Sequence, residues 1–377
     1  MINCPVCKTT CTASLFEAEN IPLYCLRYFD NRKDALAAER RSVDFAQCQI
    51  CGFVFNQQYE QLSYQVEYES GRSSSSTFKD YLLQVANVLL DNISEEIETV
   101  VEVGAGDGDF SQALKSLDSS PQYFAYDPSE NLGSKVDGIT IYQSYYHDSE
   151  TLLPTLVIAR HVLEHQSNVH QFMQGVLHEF PKYCFIEIPC SSFVLKENFH
   201  YFSYEHCSYF DLPSLIKLMS KFHYTLKMSK YMFNDENLIT LWQQSNNLTK
   251  TNRPVENKLA SVKSLDLRWA YNNWRSELLQ KICDRDSILW GVAGKGVMLL
   301  NMLNLDYKLM PQIIDINSLI NNKYVPIMGN KIVSSSELRN IKPETILILN
   351  SIYRAEITYQ VRQMGLASSV EPLLDLE

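Results

Sequence analysis

The chain has 377 residues. Single cores rarely grow beyond ~250 residues, so two or three domains are expected. Lys and Arg number 33 against 44 Asp and Glu, a formal net charge of -11. That balance excludes a sequence-independent grip on nucleic acid, which needs a basic face, and it disfavours an anionic membrane surface. No apolar run approaches the ~18 residues of a membrane span. Met1-Ile2-Asn3-Cys4 opens no apolar signal region, so a cytoplasmic protein with a small-molecule partner is expected.

Ten cysteines in a chain of this length do not make a disulfide scaffold. Their spacing is informative at the N-terminus. Cys4-Pro5-Val6-Cys7 and Cys48-Gln49-Ile50-Cys51-Gly52 are two Cys-x-x-Cys knuckles. Four thiolates in such pairs can form a closed tetrahedron around Zn²⁺, which stabilises a small domain and leaves no open catalytic position. The metal ligands are thus Cys4, Cys7, Cys48 and Cys51. The long stretch between the knuckles is expected to loop out, and Cys11 to be free. This first domain is placed at residues 1–60, and a second at residues 61–245.

The second domain opens with a tyrosine- and serine-rich stretch, Tyr59 to Thr77, in which Tyr68 is a candidate to face a ligand. A helix follows from Phe78 to about Asn92, with Ser76 or Thr77 as its cap and Tyr81, Leu82, Val85, Val88 and Leu89 on one face.

Val100-Val101-Glu102-Val103 then runs into Gly104-Ala105-Gly106-Asp107-Gly108 and an amphipathic segment from Phe110 to Leu117. This reads as a strand, a tight turn and a helix start, whose free N–H groups face whatever lies above them. The spacing does not meet the Gly-x-Gly-x-x-Gly dinucleotide fingerprint. Asp127 closes the next apolar run, where a carboxylate can accept both hydroxyls of a ribose. Together they suggest a nucleoside-bearing cofactor at the strand ends.

Further strands are expected at Tyr123–Tyr126, Ile139–Tyr142, Leu156–Ala159 and Tyr183–Ile188, alternating with helices, which gives a doubly wound parallel sheet. Tyr224–Phe233 and Asn237–Gln243, joined by Asn234-Asp235-Glu236, read as an antiparallel edge hairpin. Five alternating strands and a hairpin are the pattern of class I methyltransferases.

Beyond the fifth strand, His200, Tyr201, Tyr204, Glu205, His206 and Tyr209 crowd into ten residues. They lie where open α/β sheets bind ligands. Histidine titrates near neutral pH and suits a general base. Cys184, Cys190 and Cys207 have no paired spacing and are read as unliganded.

Residues 246–377 form the last third: a polar stretch, a helix carrying Leu267, Trp269, Trp274, Leu278 and Ile282, then a small α/β unit. Its turn, Gly291-Val292-Ala293-Gly294-Lys295-Gly296, lacks the Ser or Thr of a Walker A loop. Asp315 closes the following strand, so a dinucleotide half-site with a nicotinamide cofactor is one reading of this unit. A degenerate structural half-fold is another.

The knuckles, the Glu102-x-Gly104-x-Gly106-x-Gly108 turn, Ala159-Arg160-His161-Val162-Leu163-Glu164-His165, Tyr204-Glu205-His206-Cys207-Ser208-Tyr209-Phe210 and the Gly294 turn occur in this order. The set resembles the three-domain, zinc-containing C-methyltransferases of nucleotide-deoxysugar biosynthesis, over nearly the whole chain. The resemblance implies an α/β class I methyltransferase core, Rossmann-like, between an N-terminal zinc-binding domain and a smaller Rossmann-like C-terminal domain. It implies S-adenosylmethionine (SAM) as cofactor, held by Glu102, Gly104, Gly106, Gly108 and Asp127, with Arg160 and His161 along it. It assigns the base to His206 with Glu205. The family's tyrosine three residues before that histidine is here Ser203, so Tyr204 or Tyr209 would hold an enolate oxygen. Gly294, Lys295 and Gly296 would hold the diphosphate of a nucleotide sugar. The competing enzyme reading is an N- or O-methyltransferase acting on another small metabolite. A binding module that kept the fold is a third.

Overall fold

The computed structural model describes residues 2–10, 12–62, 74–129, 137–146, 152–196, 198–245, 264–283 and 286–373. The expectations for Tyr68 and Cys11 fall outside these residues.

The N-terminal part holds β1 (Thr12–Pro22), α1 (Arg32–Leu36), β2 (Arg40–Cys48) and β3 (Val54–Asn56). The stretch between the knuckles is therefore built rather than looped out: β1 and β2 pair antiparallel, with Phe16 opposite Phe45. Apolar Val43, Phe45 and Ala46 turn inward on β2, so the pair has a core to bury.

Helix α2 (Ser76–Asp91) buries Phe78, Tyr81, Leu82, Val85 and Leu89, the face its apolar spacing predicts. Its cap is Ser75, one residue earlier than expected: the Ser75 hydroxyl accepts the Phe78 N–H at 3.2 Å. The Rossmann-like core then runs β4 (Thr99–Val103), α3 (Asp109–Leu117), β5 (Gln122–Tyr126), β6 (Ile139–Tyr142), β7 (Leu156–Arg160), α4 (Val169–Val176), β8 (Tyr183–Pro189), α5 (Ser191–Val194), β9 (Ser208–Tyr209), α6 (Leu212–Met219), β10 (Tyr224–Met232) and β11 (Asn237–Gln244). Seven of these strands form one sheet in the order β10-β11-β8-β7-β4-β5-β6. β4, β5, β6, β7 and β8 are parallel, and the β10–β11 hairpin closes the edge antiparallel, as its turn predicts. This is the class I methyltransferase topology. Strand order reverses between β4 and β7, so the carboxyl ends of these two strands flank a crevice.

β9 is missing from that sheet. It pairs with β3 and completes the N-terminal sheet in the order β1-β2-β3-β9. The boundary expected at residue 60 is thus crossed by a strand that begins two residues after His206.

Helix α7 (Ser264–Cys283) buries Leu267, Trp274, Leu278 and Ile282. Trp269, expected on that face, is 68% exposed, because it lies on the opposite side of the helix. Beyond it come β12 (Ser287–Trp290), α8 (Lys295–Leu303), β13 (Gln312–Asp315), β14 (Lys331–Ser334), α9 (Leu338–Ile341), β15 (Thr345–Ile348), α10 (Arg354–Gln363) and β16 (Ser369–Pro372). The five strands are all parallel, in the order β14-β13-β12-β15-β16. β14 and β16 had no sequence signal. Here too the order reverses at the first strand, between β12 and β15.

Candidate active site

Both switch points open on one cavity of about 1660 Å³. Its lining includes Gly104 to Asp107 and Asp127 on one side, and Gly291, Ala293, Gly294 and Asp315 on the other. Single small-molecule sites run to roughly 300–1,000 Å³, so this cleft has room for two ligands side by side.

The donor side is built by β4 and β5. Gly104, Gly106 and Gly108 all have positive φ, at 70°, 52° and 74°. Their reasons differ. A Cβ on Gly104 would lie 2.3 Å from the Val162 side chain, so this glycine lets two loops pack. A Cβ on Gly106 would meet nothing within 4 Å, which leaves a bare backbone facing the cleft. Gly108 caps α3 in the left-handed conformation. Glu102 does not reach across the cleft. Its carboxylate accepts the Ser111 N–H at 3.1 Å and the Ser111 hydroxyl at 2.6 Å, which fixes the start of α3. Burial pushes that carboxyl up to about 7. Asp127 accepts the Gly106 N–H at 2.8 Å and the Ser129 N–H at 2.8 Å, one per oxygen. Each carboxylate oxygen keeps a lone pair for a diol. These residues fit the nucleoside end of SAM: an open glycine turn beside an acid at the tip of the next strand.

Arg160 lines the cleft but turns its guanidinium into the sheet. Its Nε donates to Glu187 at 2.6 Å, and its Cζ lies 4.1 Å from the Phe110 ring centroid. It therefore positions Glu187 rather than lying along a cofactor. His161, at φ 53°, sits 3.2 Å from Glu187 through Nε2 and 3.4 Å from Glu164 through Nδ1. Burial alone would lower its pKa, but Glu164 and Glu187 raise it. Glu187 also accepts the Tyr81 hydroxyl at 2.5 Å and the Asn237 amide at 3.2 Å.

The crowded segment divides. His200, Tyr201, Ser203, Glu205 and His206 line the cleft. His206 meets His165 edge to face, at 4.8 Å between ring centroids. Tyr204 leaves the cleft: its hydroxyl accepts the Glu60 N–H at 2.9 Å, and its ring packs against Tyr59. Tyr209 is committed to backbone, donating to the Tyr201 carbonyl at 2.8 Å and accepting the Ser203 N–H at 3.3 Å. Neither phenol reaches the position expected for an enolate holder. Tyr201 does line the cleft, and nothing in its spacing distinguishes it from the other two in an irregular segment. Glu205 also departs from expectation. Its Oε2 accepts the Cys25 N–H at 2.5 Å, away from the His206 ring, and burial pushes its carboxyl up to about 7. His165 caps no helix. Its Nδ1 meets the Glu205 carbonyl at 3.0 Å, and Asn168 caps α4 instead.

On the second face, Asp315 accepts the Val292 N–H and the Asn317 N–H, both at 2.9 Å. That repeats the Asp127 arrangement on the second sheet. A Cβ on Gly296 would lie 2.5 Å from the Gly291 carbonyl, so Gly296 serves the turn's own packing. Gly294 faces the cleft as the first residue before α8. The Lys295 ammonium is paired with Glu236 in the edge hairpin and lies 4.3 Å from the Tyr201 ring centroid. It ties the two domains together, so it is not an uncommitted phosphate cation. His200 sits close by, its ring parallel to Trp274 at 6.2 Å. Burial and the Lys295 charge push its pKa down to about 3, and its Nδ1 has no hydrogen-bond partner among the described residues.

The four N-terminal thiols gather as their spacing predicts. Sγ distances are 3.6 Å for Cys4–Cys51 and 3.5 Å for Cys7–Cys48, and all four sulfurs lie within 4.8 Å of one another. A tetrahedron with Zn–S bonds of ~2.3 Å separates its sulfurs by ~3.8 Å, so the set fits zinc. Among the described residues no helix is long and apolar enough to cross a membrane.

Two family models match parts of the chain. The methyltransferase-domain family matches residues 76–227, and the C-methyltransferase C-terminal domain family matches residues 272–368. No curated protein gives a significant match. Among solved structures the chain is similar to magnesium protoporphyrin IX methyltransferase from Synechocystis PCC 6803 with bound S-adenosylhomocysteine (SAH), at 13% identity, covering 45% of this chain and 84% of that one with TM-score 0.37. It is similar to the plantazolicin methyltransferase in complex with a substrate analogue and SAH, at 10% identity, 47% and 86% coverage and TM-score 0.37. The methyltransferase domain of bacterial CtHen1-C gives 16% identity, 45% and 100% coverage and TM-score 0.37. With the class I sheet, the open glycine turn beside Asp127 and both domain families in agreement, the chain is a SAM-dependent methyltransferase that carries a C-methyltransferase C-terminal domain.

Proposed function

We propose that the chain methylates a carbon next to the ketone of a nucleotide-linked keto-deoxysugar. The observation that carries this reading is the second glycine turn. It belongs to the C-methyltransferase C-terminal domain, and it lines the same cleft as the donor turn and His206. When bound, SAM supplies an electrophilic methyl group. The chain's own part is to make the acceptor carbon nucleophilic. His206 takes the carbon-bound proton, and the electron pair moves to the ketone oxygen as an enolate. Tyr201, which lines the cleft in the same segment, would hold that oxygen. Gly294 and Asp315 offer backbone N–H groups and a carboxylate to the nucleotide of the acceptor.

Incubation with a 4-keto nucleotide sugar in heavy water, without cofactor, tests this. The neighbouring carbon is expected to exchange its proton in the wild type and much more slowly in His206→Asn. Absence of base-dependent exchange sinks the reading. Full turnover in His206→Asn would point to a nitrogen or oxygen acceptor instead.

We further propose that Cys4, Cys7, Cys48 and Cys51 hold a structural Zn²⁺, on the strength of their sulfur separations. The metal would fasten the β2–β3 turn, and β3 in turn pairs with β9 beside the base.

A further inference from the structure

Two glutamates compete for the role of partner to His206, and the structure separates them. Glu205 is its neighbour in sequence, yet its Oε2 takes the Cys25 N–H and it is not part of the cluster that Glu164, His165 and His206 form. Glu164 is forty-two positions away in sequence, on the turn after β7. Its carboxylate lies within 4.8 Å of a ring nitrogen of both His165 and His206. Glu164 is only 2% exposed, and neither of its oxygens has a hydrogen-bond partner among the described residues. His161 Nδ1 forms an ion pair with it at 3.4 Å.

A buried carboxylate without hydrogen bonds is costly unless a cation answers it. His165 does not answer it. The Glu205 carbonyl can only accept, so His165 Nδ1 carries its hydrogen and Nε2 faces out with a lone pair. Burial also lowers the pKa of His165, which weakens its charge beside Glu164. His161 divides itself between Glu164 and Glu187. Burial would raise the Glu164 carboxyl, yet His161 above all, with smaller contributions from His165 and His206, outweighs it and lowers the pKa. Among the described residues, Glu164 and His165 from the β7 turn and Tyr209 from β9 lie beside the His206 ring, while the Ser203 hydroxyl accepts the His206 backbone N–H.

We propose that Glu164, not Glu205, is the carboxylate partner of His206: a positioning residue that stabilises the imidazolium formed when His206 takes the acceptor's proton. The proton moves from carbon to the ring nitrogen, the electron pair stays with the enolate, and Glu164 balances the new positive charge without being protonated. This rests on the carbon-acid reading above.

The test compares Glu164→Gln and Glu205→Gln in the full chain by NMR titration of the His206 ring. Removing a neighbouring anion lowers a histidine pKa by roughly 1–3 units. Glu164→Gln is expected to lower that of His206 by about one unit or more, and Glu205→Gln by a few tenths. In the heavy-water assay Glu164→Gln is expected to slow exchange at least tenfold more than Glu205→Gln. SAH affinity, read by calorimetry, is expected to stay within about threefold in both, which certifies folding. An unmoved His206 pKa in Glu164→Gln, or a larger shift in Glu205→Gln, overturns the assignment. So does a metal content of two ions per chain that falls to one in Glu164→Gln, since Glu164, His165 and His206 would then be cation ligands. The titration needs no acceptor. Failed exchange in the wild type would therefore remove the carbon-acid reading alone and leave the Glu164 pairing to be decided by NMR.

Discussion

The Gly106 N–H donates to the Asp127 carboxylate at 2.8 Å, so the bare turn of one strand is locked to the acid at the tip of the next. Removing the acid should loosen the turn and take away the ribose acceptor together. A hydrogen bond to a charged group is worth about 1.5–3 kcal/mol, which is roughly tenfold to a hundredfold in affinity. Asp127→Ala is expected to weaken SAH binding by that factor in calorimetry. Unchanged affinity would move the cofactor elsewhere.

Glycines in one turn should respond differently to the same substitution. Alanine at a positive φ costs about 1–2 kcal/mol at either position. Gly104→Ala adds a Cβ 2.3 Å from Val162, so its thermal midpoint should fall well below that of Gly106→Ala. Gly106→Ala, with open space around it, should lose SAH affinity instead. Equal melting temperatures for the two variants would contradict this division.

Of the three tyrosines in the irregular segment, Tyr201 lines the cleft, whereas the Tyr204 and Tyr209 hydroxyls serve backbone groups. Losing one oxyanion donor typically costs about 10²–10³ in turnover. Tyr201→Phe should show a loss of this order with SAH affinity retained. Tyr204→Phe and Tyr209→Phe should act mainly on the urea midpoint. A larger turnover loss in Tyr209→Phe would restore that residue to the reaction.

Stability should depend on pH through two buried acids. Burial raises Glu102 and Glu205 to about 7, against ~4.3 for an unfolded glutamate. Between these values the folded chain holds protons that the unfolded chain has released. Their contribution is complete below pH ~4.3 and is lost as pH rises through about 7. Glu187 runs the other way. Burial would raise it, but Arg160 and His161 hold it well below the carboxylate range, so its contribution is lost on acidification. Glu205→Gln should flatten the fall in unfolding free energy between pH 5 and 7, by an amount on the order of 1–3 kcal/mol. Urea midpoints at the two ends measure it, and an unchanged slope would place the titration elsewhere.

Zinc removal should reach the base through the sheet. Cys48 ends β2, β3 follows it, and the Asn56 N–H donates to the Cys207 carbonyl at 2.9 Å, one residue from His206. A chelator, or Cys48→Ser, should reduce turnover far more than SAH affinity. Equal losses would mean that the metal supports the whole chain.

The donor half of the site was legible because its signals are local. Glycines at one strand end and an acid at the next need only the strands to be parallel, and the apolar runs settled that. The zinc knuckles and the edge hairpin were equally local. What escaped depends on distant partners. The fate of Lys295 is decided by Glu236, fifty-nine residues earlier, and that of Glu205 by the Cys25 backbone. β9 is two residues long and has no periodicity to read. In the irregular segment around it, no pattern tells which of three tyrosines faces the cleft.

The parallel strands of two sheets present the same device, an acid receiving the N–H of a glycine turn, to one cleft. Each wall has its own core: Ile97, Val100, Phe110 and Leu114 pack behind the donor turn, and Ile288, Trp290, Ile346 and Val361 behind the other. The two cores meet only through shared packers such as Tyr353, so substitutions deep in the second core are expected to disturb the first little. If the second wall holds the acceptor as proposed, a lineage of such chains would drift from one acceptor to another by varying the rim around Gly294 and Asp315 while the opposite wall is kept.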